Sequence, residues 1–280
     1  MCLRPYVRHV NDGSPLGVDK YYKCGQCYEC IVSRSQDWST RLYFESLQHK
    51  YSLFITLTYN DEHLPRDIDI DGIHGNLRVT DLQAFFNRLR YYYPHLRYFG
   101  AGEYGDLGNR AHYHAVVFID SDLPKFPSHV RHCWPNGFCQ VKLMSDLKNF
   151  RYLTDYLGKQ LWKQLPKEYK PFNVMSRRPG LGSIDESTFY KFLDYDKNGI
   201  PMFRIGPKLR TIPKYYLLQF GFSPELYFEE IKEKNPDEKV SRLLRTNDFE
   251  TFHQAVHREV QEAINKERIY YKRLKSQSHV

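Results

Sequence analysis

Two histidines separated by one residue, His112-Tyr113-His114, open a run that continues Ala115-Val116-Val117-Phe118. In a strand, alternate side chains share a face, so both imidazoles project together while Tyr113 points the other way. Two imidazoles on one face at the start of a strand make half of a metal site; a pair of ordinary polar residues on a solvated face has the same spacing. Glu103, in Gly102-Glu103-Tyr104-Gly105, ends the preceding apolar stretch. A hairpin between the two stretches brings its carboxylate toward the histidines, although carboxylates are also common in hairpin turns. A carboxylate and imidazoles with open positions suit Mg²⁺ or Mn²⁺, ions that polarise a phosphate oxygen.

A second set is Tyr152-Leu153-Thr154-Asp155-Tyr156-Leu157-Gly158-Lys159. On a helix, residues four apart lie one above the other, so Tyr152 and Tyr156 share a face and Lys159 follows Tyr156 at the next turn. A phenol titrates at about 10 and needs a nearby cation, metal or base before it attacks phosphorus. Core or interface packing of the two rings is the competing reading. A third set, Cys24, Cys27 and Cys30, has a spacing that suits a tetrahedral ion. Structural Zn²⁺ with Cys2, Cys133, His132 or Cys139 as fourth ligand and plain reduced thiols both remain open. Arg177 and Arg178, in Ser176-Arg177-Arg178-Pro179-Gly180-Leu181-Gly182, and Lys208, Arg210 and Lys214 further on are candidates for gripping DNA phosphates. Gly180 and Gly182 would let the backbone come close, while each cation taken alone is also an ordinary solvated side chain.

The bulk numbers are permissive. A chain of 280 residues with net charge +8, 16% aromatic residues and 23 tyrosines can neutralise phosphates and stack on unpaired bases, the combination that single-stranded nucleic acid requires. A merely basic, aromatic-rich protein has the same totals. No run approaches the roughly 18 apolar residues of a membrane span, and Met1 to Val10 has no signal-peptide core, which points to a soluble protein that stays where it is made. Six cysteines then read as reduced thiols or ligands rather than a disulfide framework.

These residues need elements to position them. Ser33–Leu47 reads as a helix burying Trp38, Leu42 and Phe44, after an irregular Cys-containing start, and Ser52–Tyr59 is a β-branched and aromatic strand. A helix capped by Thr80 or Asp81 runs through Tyr92 with Leu82, Phe85, Phe86 and Leu89 on its apolar face. Strands follow at Leu96–Gly102, His112–Ile119 and Phe138–Met144, then a second amphipathic helix at Leu147–Trp162. The irregular alternation with a central hairpin gives an α+β class with an antiparallel sheet. Residues 1–50 form a Cys-containing segment and helix, 51–165 the core, and 166–280 a basic C-terminal lobe, DNA-binding or accessory and helical from Ser223 onward.

The order of these motifs carries a resemblance. His-hydrophobic-His on a strand, followed by a helix with Tyr-x-x-x-Tyr-x-x-Lys, resembles the HUH endonuclease superfamily in its two-tyrosine form, and Phe54-Ile55-Thr56-Leu57-Thr58-Tyr59 resembles its first motif. Cys24-Gly25-x-Cys27-x-x-Cys30 with Asp37-Trp38, Arg41-Leu42, Gly102-Glu103-Tyr104-Gly105 and Ser176-Arg177-Arg178-Pro179-Gly180 is similar to the replication initiators of microviruses, particularly the gokushovirus branch. The likeness spans about Cys24 to Tyr216. It implies an HUH-like central antiparallel sheet flanked by helices, with a helical C-terminal extension. It also implies His112, His114 and Glu103 as metal ligands, Tyr152 and Tyr156 as nucleophiles and Lys159 as supporting cation. Asp155 is an acidic choice between two such tyrosines.

The activity implied is nicking of a viral origin through a 5′-phosphotyrosine and rejoining of the displaced strand into a circle, in the cytoplasm of a bacterial host. The implied partners are single-stranded and replicative-form viral DNA and the host helicase, single-strand binding protein and DNA polymerase, with no membrane. No G-x-x-x-x-G-K-[ST] run is present, so unwinding falls to a partner. The alternatives are a plasmid initiator, relaxase or transposase of the same superfamily, or a non-catalytic single-stranded DNA-binding protein.

Overall fold

The computed structural model describes residues 6–10, 18–22, 25, 28–67, 74–105, 109–121, 123–144, 166 and 169–234. They fall into two compact units, one running to Gly182 and one beginning at Ser183. In chain order the first holds β1 (Tyr6–Val10), β2 (Val18–Tyr22), α1 (Tyr28–Ser46), β3 (Tyr51–Tyr59), α2 (Val79–Tyr92), β4 (Arg97–Tyr104), β5 (Ala111–Ile119), α3 (Phe126–Cys133), β6 (Gly137–Met144) and β7 (Phe172–Met175). Five strands make one antiparallel sheet in the order β6-β3-β5-β4-β7. The class is α+β, as the alternation of elements requires.

Side-chain period sorts the two faces. Along β3, Leu53, Ile55, Leu57 and Tyr59 are buried, whereas Phe54, Thr56 and Thr58 on the opposite face are half-buried. The buried row meets Leu82, Phe85, Phe86 and Leu89 of α2, spaced to form one helical stripe, together with Phe126, Val130 and Cys133 of α3. The opposite face receives α1, whose Leu42 packs with Phe99, Val116, Phe118, Met144 and Leu181. The Arg41 guanidinium lies 4.2 Å from the Trp38 ring centre, and Trp38 packs on Phe99 at a centroid distance of 4.9 Å.

The end of α1 carries a buried polar latch. The Glu45 carboxylate accepts from Arg97 Nε at 2.6 Å and from the Gly182 backbone N–H, while Arg97 Nη2 donates to the Pro179 carbonyl at 2.9 Å. Arg41 donates to the Leu181 carbonyl through Nε and Nη2 at 3.0 and 2.8 Å. These bonds staple residues 179–182 to α1 and β4. Burial pushes the Glu45 carboxyl up, but hydrogen bonds from His49, Arg97 and Gly182 and the Arg97 charge outweigh it and hold it below the usual carboxylate range.

Several particulars differ from the sequence expectations. The start of the chain was expected to be irregular, yet β1 and β2 pair antiparallel with Tyr6 opposite Tyr22; five-residue strands are too short to show a period on their own. Neither Thr80 nor Asp81 caps α2. Its N-cap is Arg78, without a side-chain cap bond; the Tyr113 hydroxyl accepts from the Arg78 N–H and donates to its carbonyl, and Asp81 accepts from the Tyr59 hydroxyl. Gly182 has φ of +76°, and a Cβ there would meet the Arg41 carbonyl at 2.3 Å, so the close backbone approach expected for DNA is made to α1 instead. The sheet also draws β7 from beyond residue 165. The helix expected at Leu147–Trp162 lies outside the described residues.

The second unit contains α4 (Glu186–Phe192), β8 (Leu193–Tyr195), β9 (Pro201–Ile205), β10 (Lys208–Arg210), α5 (Lys214–Gln219) and α6 (Pro224–Lys234). Its strands form an antiparallel sheet with β9 central. Asp185 caps α4 by accepting from the Thr188 N–H, and Phe189, Phe203 and Tyr216 form its aromatic core. The basic stretch from Arg204 to Tyr216 is the β9–β10 turn and the start of α5. Among the described residues no helix is long and apolar enough to cross a membrane.

Candidate metal centre

Register builds the site. Glu103 on β4 lies directly opposite His112 on β5, and His114 lies between Ala101 on β4 and Thr56 on β3. Directly opposed residues point to the same face, so the carboxylate and both imidazoles emerge on the α1 side at one end of the sheet. Their ligating atoms all lie within 4.8 Å of one another. Glu103 Oε1 is 2.9 Å from His112 Nε2 and 3.4 Å from His114 Nε2.

Each imidazole is oriented from behind. His112 Nδ1 is 3.0 Å from the Arg110 carbonyl, which can only accept, so that nitrogen carries hydrogen and Nε2 is aimed at Glu103. His114 Nδ1 is 3.1 Å from the Thr56 hydroxyl, and the His114 ring stacks on Phe54 with centroids 5.4 Å apart. Gly105 closes the hairpin through its N–H to the Arg110 carbonyl at 2.9 Å. A Cβ at Gly105 would meet His112 Cε1 at 2.9 Å, so the absence of a side chain gives that ring its place.

The charge balance favours a cation. Glu103 is almost fully buried: burial pushes its carboxyl up, but hydrogen bonds from His112 and His114, and then their charges, outweigh this and hold it at about 2. Its second oxygen, Oε2, is buried with no hydrogen-bond partner among the described residues. An ionised carboxylate with one orphaned oxygen beside two Nε2 atoms fits a divalent ion, because donor bonds of about 2.1 Å place donors roughly 3 to 4 Å apart. Among the described residues this is the one such group of three potential ligands.

Tyr113 faces away, as its position between the histidines requires. It is buried on the α2 side, with its hydroxyl 2.6 Å from that of Tyr59. Burial pushes both phenols far up, so neither supplies a phenolate. Thr56, Phe54, Gly105 and the Arg110 carbonyl were not singled out from sequence as supports of the histidines. The period-two alternation that placed His112 and His114 also puts Thr56 on their face, and was the available signal.

Other expected site residues are not brought to this point. Tyr152, Tyr156, Lys159, Cys2, Cys24 and Cys27 lie outside the described residues. Cys30 is buried on α1, Cys133 is buried in the core against α2, Cys139 is half-buried on β6, and His132 is exposed. Burial raises the Cys133 and Cys139 thiols, which favours the protonated form. Arg177 and Arg178 are exposed in the first unit; in the second, Lys208 and Lys214 are exposed and Arg210 is half-buried.

Residues 52–161 match the family of the replication-associated protein ORF2, a span that contains every residue of the Glu103–His112–His114 site. Replication-associated protein VP4 of Bdellovibrio phage phiMH2K is 27% identical over 259 residues, covering 82% of this chain and 79% of that protein. Replication-associated protein ORF2 of Spiroplasma virus 4 is 29% identical over 268 residues, covering 83% and 75%. The chain is a relative of phage replication-associated proteins. As in the resemblance read from its motifs, the likeness to these replication-associated proteins covers most of the chain. A solved structure, the hypothetical protein ORF119 of Sulfolobus islandicus rod-shaped virus 1, aligns over 46% of this chain and 97% of its own at 22% identity and a TM-score of 0.29, and that likeness carries no weight.

Proposed function

We propose that this chain initiates rolling-circle replication of a phage genome by nicking single-stranded origin DNA through a tyrosine and later rejoining the displaced strand. The observation that carries the reading is the orphaned, ionised Glu103 set beside two oriented imidazoles, inside the segment shared with replication-associated proteins. Glu103, His112 and His114 would hold a divalent ion, Mg²⁺ or Mn²⁺. When bound, such an ion supplies Lewis acidity to a non-bridging oxygen of the scissile phosphate.

The remaining chemistry belongs to the chain's own groups. The phenol of Tyr152 or Tyr156 gives up its proton, its oxygen bonds to phosphorus, and the bond from phosphorus to the 3′ oxygen breaks. That oxygen takes a proton and becomes the primer end. Lys159 offsets charge on the phenolate or on the crowded phosphate. The phosphodiester is exchanged rather than hydrolysed, so a later attack by a 3′-hydroxyl on the phosphotyrosine restores DNA and frees the tyrosine. With two tyrosines, one holds the old 5′ end while the other cuts the regenerated origin, and the strand closes into a circle. Arg177, Arg178, Lys208, Arg210 and Lys214 act as phosphate contacts in this reading, and unwinding and synthesis fall to host proteins.

The test is covalency. Incubation with Mn²⁺ and single-stranded fragments covering the genome that encodes the chain should give a protein–DNA adduct that survives denaturant. No adduct with any fragment contradicts the reading.

A further inference from the structure

The face of the sheet that carries the metal centre does not end at β5. Register runs a continuous row from Glu103 through His112 and Thr58 to Phe138 on β6, and the next row runs from His114 through Thr56 to Gln140. Lys142 follows opposite Phe54. The Phe138 side chain is 70% exposed, and Gln140 and Lys142 are exposed as well. A large aromatic ring in water beside a half-buried Thr58 is not packing the core; the core side of β6 is formed by Cys139 and Val141. α1 covers the other end of this face, through Leu42 over Val116 and Phe118.

We infer that β6 is a single-stranded DNA track leading to the metal centre, with Phe138 stacking on a base next to the scissile phosphate and Lys142 holding a phosphate further along. The inference rests on the reading of the site as one that cuts single-stranded DNA, and it names the residues that seat the strand. Strand spacing places Phe138 about 10 Å from His112, across β3, within reach of an adjoining nucleotide. Phe138, Gln140 and Lys142 repeat every two residues, about 6.6 Å, a stride on the scale of one nucleotide of an extended strand. An aromatic face, an amide and a cation in line are the groups that bind bases and phosphates without demanding a sequence. The chain's net charge of +8 is complementary to this occupant.

The experiment measures binding of the full chain to fluorescein-labelled oligo(dT) of about 15 nucleotides by anisotropy in EDTA, where cutting cannot contribute. Phe138→Ala should weaken binding by about 5- to 100-fold, and Phe138→Trp should retain it, with the added indole quenched by the bound strand. Lys142→Ala should lower the salt slope of log Kd by about 0.7. Wild-type affinity in Phe138→Ala overturns the inference. A loss of thermal stability in Phe138→Ala with unchanged affinity also overturns it, since Phe138 would then be covered by protein. If Phe138→Ala binds weakly but the parent forms no adduct with any DNA, the track stands and the nicking reading fails. An adduct-forming parent with an unaffected Phe138→Ala gives the reverse.

Discussion

Thr56→Val removes one hydroxyl and keeps the branched shape of the side chain on β3. The Thr56 hydroxyl sits 3.1 Å from His114 Nδ1 and is the side-chain partner that sets which nitrogen of His114 faces Glu103. Loss of such a supporting bond weakens metal binding by about 10- to 100-fold. At a Mn²⁺ concentration of about 100 times the parent Kd, the ion stabilises the parent by about 2.7 kcal/mol; the same concentration stabilises the variant by only about 0.4 to 1.4 kcal/mol. At roughly 2 to 4 °C per kcal/mol, a melting-temperature rise of about 5 to 11 °C in the parent shrinks to about 1 to 6 °C. Thermal melts with and without Mn²⁺, paired with calorimetric titration of the ion, read both quantities. In EDTA the two proteins should melt within about 1 °C of each other, because Thr56 is only half-buried. Thr56→Ser should restore the parent's response. An undiminished Mn²⁺ shift in Thr56→Val would refute the claim that the hydroxyl orients a ligand.

Gly105→Ala should weaken Mn²⁺ binding by about 10-fold or more with a small effect on the metal-free melt, since the new methyl displaces the His112 ring from 2.9 Å away. Equal affinity in titration would show that the ring yields freely. Glu45→Ala leaves the Arg97 guanidinium, with its side chain 15% exposed, without its carboxylate partner and should cost about 3 kcal/mol in urea unfolding. A loss well under about 1 kcal/mol would mean that water replaces the carboxylate. For His49, burial pushes the imidazole down, but hydrogen bonds and charge from Glu45 and Asp120 outweigh it and raise its pKa above 6.5. A raised folded value means that the stabilisation is fully present below about 6.5 and is lost as the pH rises through that folded value. The Glu45 and Asp120 carboxyls are lowered, so their share is lost only as the pH falls below the ordinary carboxylate range. The stability gap between the parent and His49→Gln should therefore be widest between about pH 5 and 6.5 and narrow toward about pH 8.5 in urea melts. A gap that is constant with pH would remove His49 from the latch.

The parts that were legible in the sequence are those with an internal period. Leu82, Phe85, Phe86 and Leu89 declare a helical stripe, and Leu53, Ile55 and Leu57 alternate with polar or half-buried neighbours, so α2 and β3 appear with only terminal residues displaced. His112 and His114 share a face for the same reason, and the hairpin reading put Glu103 within reach; register then set it opposite His112. What period cannot show is a contact made across the chain. Tyr113 looked like a spacer, yet its hydroxyl anchors the start of α2, because the strand face it points to lies under that helix. Gly182 looked like a DNA-facing glycine, but its positive φ and its fit against Arg41 exist only once α1 is docked. β7 is four residues long and half-buried throughout, too short to announce itself before β4 offers an edge.

The most direct test of the tyrosine claim is the site of attachment. Arg151 and Lys159 bracket one tryptic peptide, Tyr152–Lys159, that contains both proposed nucleophiles. The adduct formed with Mn²⁺ and origin-containing single-stranded DNA, trimmed by nuclease and digested with trypsin, should yield this peptide carrying a nucleotide on Tyr152 or Tyr156 in the mass spectrum. The peptide should be unmodified when both residues are replaced by Phe. A nucleotide on any other peptide, or cut DNA with no peptide attached, would contradict the account.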